Sequence, residues 1–248
     1  MTTISIPARF CGPPTSGHGG WTSGAIAERV GGRVEVTLRN PPPLDTEMRL
    51  EVDDGHGRLL HGDLLIAECA PTDAPIDAPP FVDLETSRAA AATYVGLRDH
   101  PFGTCFTCGA GRPLDDGLRV FPGLVEGRPL VVAAPLDVPD DLVEADGTLS
   151  VPILWSVLDC PTVWPYMVEG IAALLGRMRV EILREVPGDE TLVVVGRGDG
   201  VEGRKRFCSG ALYTTDGELL ARSHTTWITI DRDSPPPETG IGTLPSPS

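Results

Sequence analysis

One stretch of the chain answers another. Residues 33–52, "RVEVTLRNPPPLDTEMRLEV", run parallel to residues 179–195, "RVEILREVPGDETLVVV". Arg33-Val34-Glu35-Val36 matches Arg179-Val180-Glu181-Ile182, an offset of 146 residues (179 − 33). Each copy is an alternating apolar and polar run, then a Pro- and Asp-containing turn, then a second run. Period-two alternation is the pattern of a half-buried strand. A chain that repeats its strand program once is expected to fold as two similar units.

Each copy follows a helical segment. "SGHGGWTSGAIAERVGG" (16–32) precedes the first, and "LSVPILWSVLDC" (149–160), a buried-helix pattern opened by Pro152, precedes the second. Further strands are expected in "LLHGDLLIAEC" in the first half. In the second they are expected in "RPLVVAAPL" and "KRFCSGALYTTDGELLARSHTTWITI", with Asp216-Gly217 as the hairpin turn. Between the halves, "APTDAPIDAPP" reads as a surface loop, "ETSRAAAATYVGL" as a helix and "HPFGTCFTCGAGRPLDDGLRVFPG" as irregular. The expected organisation is a first unit over 1–70, a linker with helix and Cys-containing loop over 71–126, a second unit over 127–232, and a disordered tail over 233–248.

Composition narrows the partners. The 248 residues carry a net charge of −15, which leaves no broad basic surface for nucleic acid or an anionic membrane. No apolar run is long enough for a membrane span, and "MTTISIPARF" is no signal peptide. The six cysteines are therefore expected as reduced thiols in the cytoplasm. A small-molecule ligand is the expected partner, and a homo-oligomer is compatible with the sequence.

Several residues are candidates for chemistry. His18-Gly19-Gly20 opens a helix, where unpaired N–H groups and the positive dipole end can hold an anion or polarise a carbonyl; it can equally be a plain helix-entry turn. Thr22 and Ser23 lie on the first turn, able to bond a ligand or merely to cap. Asp159 is the carboxylate in the apolar run of the second helix, and burial would raise its pKa toward a general base's. The alternative is a capping Asp ahead of Pro161, which disfavours helix at Cys160. Cys105 and Cys108 have the spacing of two zinc ligands, with His100 nearby. No second pair follows in sequence, so Cys160 or Cys208 could complete the set only through the fold. The expectation is no metal and a tight loop of buried thiols, and Cys160 itself is either a nucleophile or a small buried hydrophobe. Arg204-Lys205-Arg206 stands out in so acidic a chain and could pair with phosphates or solubilise an edge strand. Trp21, Phe102, Trp155 and Trp164 are expected in the core or a pocket wall.

The two helix-plus-strand segments, closing with "DGELLARSHTTWI", resemble the hotdog-fold acyl-CoA thioesterase superfamily in its double-hotdog form. The resemblance implies an α+β fold: two helices, each wrapped by a curved antiparallel sheet, paired within one chain. It implies hydrolysis of an acyl-CoA-type thioester. The N–H groups of the His18-Gly19-Gly20 turn would polarise the thioester carbonyl, and an acid on the paired unit's helix would activate water. The acid that usually follows the Gly-Gly pair by seven residues is replaced by Ala27. Glu28 comes one residue, about 100° of helix, later, and Asp159 takes the role instead. Ser23 and the Arg204–Arg206 cluster would bind substrate, the latter through CoA phosphates. Two other readings stay open: a non-catalytic acyl-CoA-binding hotdog protein, and an enoyl-thioester hydratase or dehydratase.

Overall fold

The structure, a computed structural model, describes residues 2–232; the tail expected to be disordered, 233–248, lies outside them. The strands are β1 (Thr2–Ile4), β2 (Val34–Leu38), β3 (Met48–Asp53), β4 (His56–His61), β5 (Leu64–Pro71), β6 (Gly123–Leu124), β7 (Val131–Leu136), β8 (Ala172–Ile182), β9 (Leu192–Glu202), β10 (Lys205–Thr214) and β11 (Leu219–Ile230). The helices are α1 (Gly19–Val30), α2 (Leu84–Ala91), α3 (Val151–Val157) and α4 (Cys160–Met167).

All strands join one antiparallel sheet in the order β1-β3-β4-β5-β2-β8-β11-β10-β9-β7-β6. Read outward from its centre, the sheet is β2-β5-β4-β3-β1 on one side and β8-β11-β10-β9-β7 on the other, with the two-residue β6 added at the second edge. The two sides have the same connectivity: one strand, then the helix, then four strands, β2 to β5 on one side and β8 to β11 on the other. These are the two similar units expected from the repeat, arranged as the double hotdog that the resemblance implies. The repeated strands meet at the seam, where Glu35, Val36 and Thr37 face Arg179, Met178 and Arg177.

Alternation places the core. Val34, Val36, Leu50, Leu59 and Ile66 point inward from the first side, and Met178, Val180, Leu192, Val194 and Leu212 from the second. Both sets close over the helices. Bulges between Phe207 and Cys208 and between Thr226 and Trp227 bend the long second-half strands. "LLHGDLLIAEC" carries the expected strands as a hairpin, which turns at Gly62, whose φ of 59° suits glycine.

The segment between the units has two roles. Helix α2 lies against β7, and Val82, Ala90, Val131, Val195 and Tyr213 form a second, smaller apolar cluster there. The chain then returns to the main core, where Phe106 is fully buried and its N–H donates to Cys11 O. The Cys-containing loop is thus part of the core between the helices, not a spacer.

Candidate active site

The paired helices define the site. Helices α1 and α3 pack so closely that α1 needs glycine at two positions one turn apart. A Cβ on Gly20 would sit 2.6 Å from Asp159 Cβ and 2.7 Å from Trp155 O; one on Gly24 would sit 2.7 Å from Pro152 Cα. The glycines therefore admit a helix, not a ligand, which corrects the expectation for Gly20.

The second helix is broken into α3 and α4 at Asp159, which has φ −90° and ψ −81°. Pro161 supplies no N–H for the helical ladder, so the helix restarts there. Side chains bond the two carbonyls at the break, of which Asp159 O also accepts from Thr162 N–H at 3.1 Å. Ser223 Oγ donates to Leu158 O at 2.9 Å, and Thr162 Oγ1 donates to Asp159 O at 2.7 Å. Trp227 Nε1 in turn donates to Thr162 Oγ1 at 2.9 Å. Strand β11 thereby fixes the break, and the break aims the Asp159 side chain at the start of α1.

Asp159 is 1% exposed. Gly20 N–H donates to its Oδ2 at 2.8 Å, while Oδ1 is buried without a partner among the described residues. Burial raises its pKa to about 7, against the opposing pull of His18 and of the Gly20 hydrogen bond. Gly20 N–H and the carboxylate are in direct contact, which leaves no room for a thioester carbon or a water between them. Gly19 N–H, the first donor of the helix, has no hydrogen-bond partner among the described residues.

His18 is the N-cap of α1 and buried. Its Nδ1 accepts from Trp21 N–H at 3.3 Å, which leaves the proton on Nε2, 3.2 Å from Cys160 Sγ. Cys160 Sγ lies 3.5 Å from Cys105 Sγ, Cys105 Sγ lies 3.5 Å from Cys108 Sγ, and His100 Nε2 lies 3.3 Å from Cys108 Sγ. Hydrogen bonds from Cys108 and Cys160 hold the Cys105 thiol well below its usual range, whereas burial pushes Cys108 and Cys160 up.

A cleft of about 210 Å³ opens onto this cluster. Gly19, Asp159 and the three cysteines line its polar end; Leu38, Phe102, Trp164 and Leu175 are among its apolar walls. Arg39 and Asn40 stand at the cleft, where no signal in the sequence had singled them out. Trp155 packs in the core against Gly24 and Trp21 stacks on Phe10, as their apolar character implied.

Other candidates lie elsewhere. Ser23 is fully buried with an unpartnered Oγ and lines no part of the cleft, because its helical position turns it into the packed interior; it is not placed to bind substrate. Thr22 Oγ1 donates to His18 O and caps the helix. Glu28 is at the far end of α1, paired with Arg29 at 3.4 Å. Arg204, Lys205 and Arg206 form the turn and first residues of the β9–β10 hairpin and do not line the cleft. Arg206 lies over the Tyr166 ring, 5.8 Å from its centroid.

No protein-family model matches the chain, and no curated protein matches it in sequence. Solved structures do match its fold. A tesB protein of Mycobacterium avium subspecies paratuberculosis superposes with a TM-score of 0.61 at 14% identity, covering 92% of each chain. The acyl-CoA thioesterase II TesB2 of Mycobacterium marinum gives 0.58 at 13% identity, again over 92% of each chain. A protein of Alicyclobacillus acidocaldarius, described as having a hot dog fold and unknown function, gives 0.56 at 11% identity over 92% of each. The fold is therefore a double hotdog, matched over nearly its whole length.

Proposed function

We propose that this protein hydrolyses an acyl thioester, with acyl-CoA as the substrate class. One observation carries the reading: a buried carboxylate from the second unit, Asp159, is held by the helix amide of the first, with its other oxygen unpartnered beside an apolar cleft. Gly20 N–H orients the carboxylate. Asp159 Oδ1 takes a proton from water as the water attacks the thioester carbon. Gly19 N–H and the positive end of α1 stabilise the oxygen on which negative charge develops. The acyl chain lies against Trp164 and Leu175, and the exposed Arg204–Arg206 turn is the candidate for the CoA phosphates. Two solved structures of this fold being named tesB protein and acyl-CoA thioesterase II supports the choice of reaction. The free state of all six cysteines fits a reducing compartment such as the cytoplasm.

The contact between Gly20 N–H and Asp159 also favours a second reading, an acyl-ligand-binding protein in which the carboxyl only joins two helices. Thiol release from acyl-CoAs of graded chain length separates the two. Turnover that disappears in Asp159→Asn supports the hydrolase, and saturable binding without turnover supports the binder.

A further inference from the structure

We propose that Cys105, Cys108, Cys160 and His18 form a zinc site at the polar end of the cleft. The cluster draws on three separate parts of the chain. Cys105 and Cys108 come from the loop between the units, Cys160 from the start of α4, and His18 from the cap of α1. The donor atoms of His18, Cys105 and Cys160 all lie within 4.8 Å of one another. Four ligands around zinc, with bonds of about 2.3 Å to sulfur and 2.0–2.1 Å to nitrogen, stand roughly 3.5–3.8 Å apart. The measured separations of 3.2 Å from His18 Nε2 to Cys160 Sγ, and 3.5 Å for each successive sulfur pair, need only a slight expansion around an ion. Cys108 Sγ, 3.5 Å from Cys105 Sγ and 3.3 Å from His100 Nε2, lies outside that group of three, so as the fourth ligand it would have to swing from His100 toward the ion.

The surroundings suit a fixed site. The four side chains are buried. The loop is held from several sides: Thr107 Oγ1 donates to Ser156 O at 3.2 Å, Tyr94 OH to Cys108 O at 3.0 Å, and Leu118 N–H to Phe106 O at 2.8 Å. Disulfide formation would require sulfurs about 2.05 Å apart, well inside either pair distance here. Ligation through Nε2 puts the imidazole proton on Nδ1. Asp159 Oδ2 lies 3.5 Å from that atom, placed as the carboxylate partner that metal-bound histidines commonly have. The 3.3 Å contact from Trp21 N–H is given up in exchange. Because His18 precedes Gly19 and Cys160 follows Asp159, the ion would tie together the two backbone segments that carry the candidate active site. Its four protein ligands leave no open position, so its role is structural.

The test is metal content, which requires no turnover and so stands apart from the hydrolase reading. Protein purified without chelator from zinc-containing medium is expected to hold roughly one zinc per chain. Cobalt substitution is expected to give thiolate-to-metal charge transfer and the strong visible bands of tetrahedral coordination. Cys105→Ser, Cys108→Ser and Cys160→Ser each lower zinc content, whereas Cys69→Ser and Cys208→Ser, which change buried thiols outside the cluster, retain it. Should the cluster variants fail to fold, alkylation of the wild-type protein decides. Three cysteines become newly reactive when a chelator is added if the site is real. Protein that takes up neither zinc nor cobalt, or whose mass shows a disulfide among these cysteines, overturns the proposal. So does a cobalt spectrum with only two thiolates, since the set requires three.

Discussion

The backbone N–H of Gly20 donates to Asp159 Oδ2 at 2.8 Å, across 139 residues of sequence. One partner belongs to the first unit's helix and the other to the break in the second unit's helix. The bond explains why two units must share one chain or interface to make a site: neither helix alone holds both groups. It also fixes which Asp159 oxygen is available. Oδ2 is committed to the helix, and Oδ1 is left for water.

Asp159→Asn is the sharpest substitution. The amide is nearly isosteric and can still accept from Gly20 N–H through its oxygen, so fold and acyl binding are expected to survive. It cannot take a proton from water. Hydrolysis is expected to fall by about 10²–10⁴-fold, the usual range for loss of a general base. Steady-state thiol release together with ligand binding by calorimetry reads both halves of the claim. Turnover within a few-fold of wild type would remove Asp159 from the reaction.

Gly20→Ala is expected to act on stability first. Its Cβ would meet the Asp159 Cβ and the Trp155 carbonyl, neither of which is the flexible end of a side chain. Overpacking of this kind costs about 1–3 kcal/mol, and it outweighs the gain in helix propensity of about 1 kcal/mol. Denaturant unfolding measures the loss. An unchanged midpoint would mean that α1 and α3 do not cross as closely as described.

The repeat made the duplication of helix and strands legible from periodicity, and the resemblance supplied the way the two units join. Asp159 was legible for a related reason: a single acid in an apolar run is costly unless it has a task or a partner. The sequence could not show the partner, since Gly20 N–H lies in the other unit. Gly20 misled because glycine serves close helix packing and ligand approach equally well. Ser23 misled because a first-turn hydroxyl faces outward or inward according to the crossing of a second helix, which is a tertiary fact. The Cys105-x2-Cys108 pair was visible, but the approach of Cys160 and His18 to it required chain segments 142 residues apart to meet.

The basic turn offers a test that separates binding from chemistry. Arg204, Lys205 and Arg206 lie outside the cleft, so replacing all three with Ala leaves Asp159 and its surroundings untouched. If the turn holds CoA phosphates, KM for an acyl-CoA rises severalfold while kcat holds, and the effect shrinks with added salt. A thioester of the same acyl group on a small thiol without phosphates is expected to show no change. Equal KM values for the acyl-CoA before and after substitution would reduce the cluster to a solubilising turn.

His224 on β11 gives the fold a dependence on pH remote from the cleft. It pairs across the sheet with Arg179 on β8 and Ser209 on β10. Burial lowers its pKa, and the Arg179 guanidinium lowers it further, against smaller opposing contributions from Asp199 and Glu35. The folded protein therefore binds this proton more weakly than the unfolded chain, where the imidazole titrates near about 6.5. Between the two values the unfolded state carries more protons, and stability rises with pH. The contribution is complete above the unfolded value and is lost as pH falls through the folded one. His224→Gln keeps a polar side chain on the same strand and removes the titration. Thermal melts of the variant are expected to decline less steeply than wild type as pH is lowered below neutral. Parallel declines in the two proteins would show that His224 is not the group responsible.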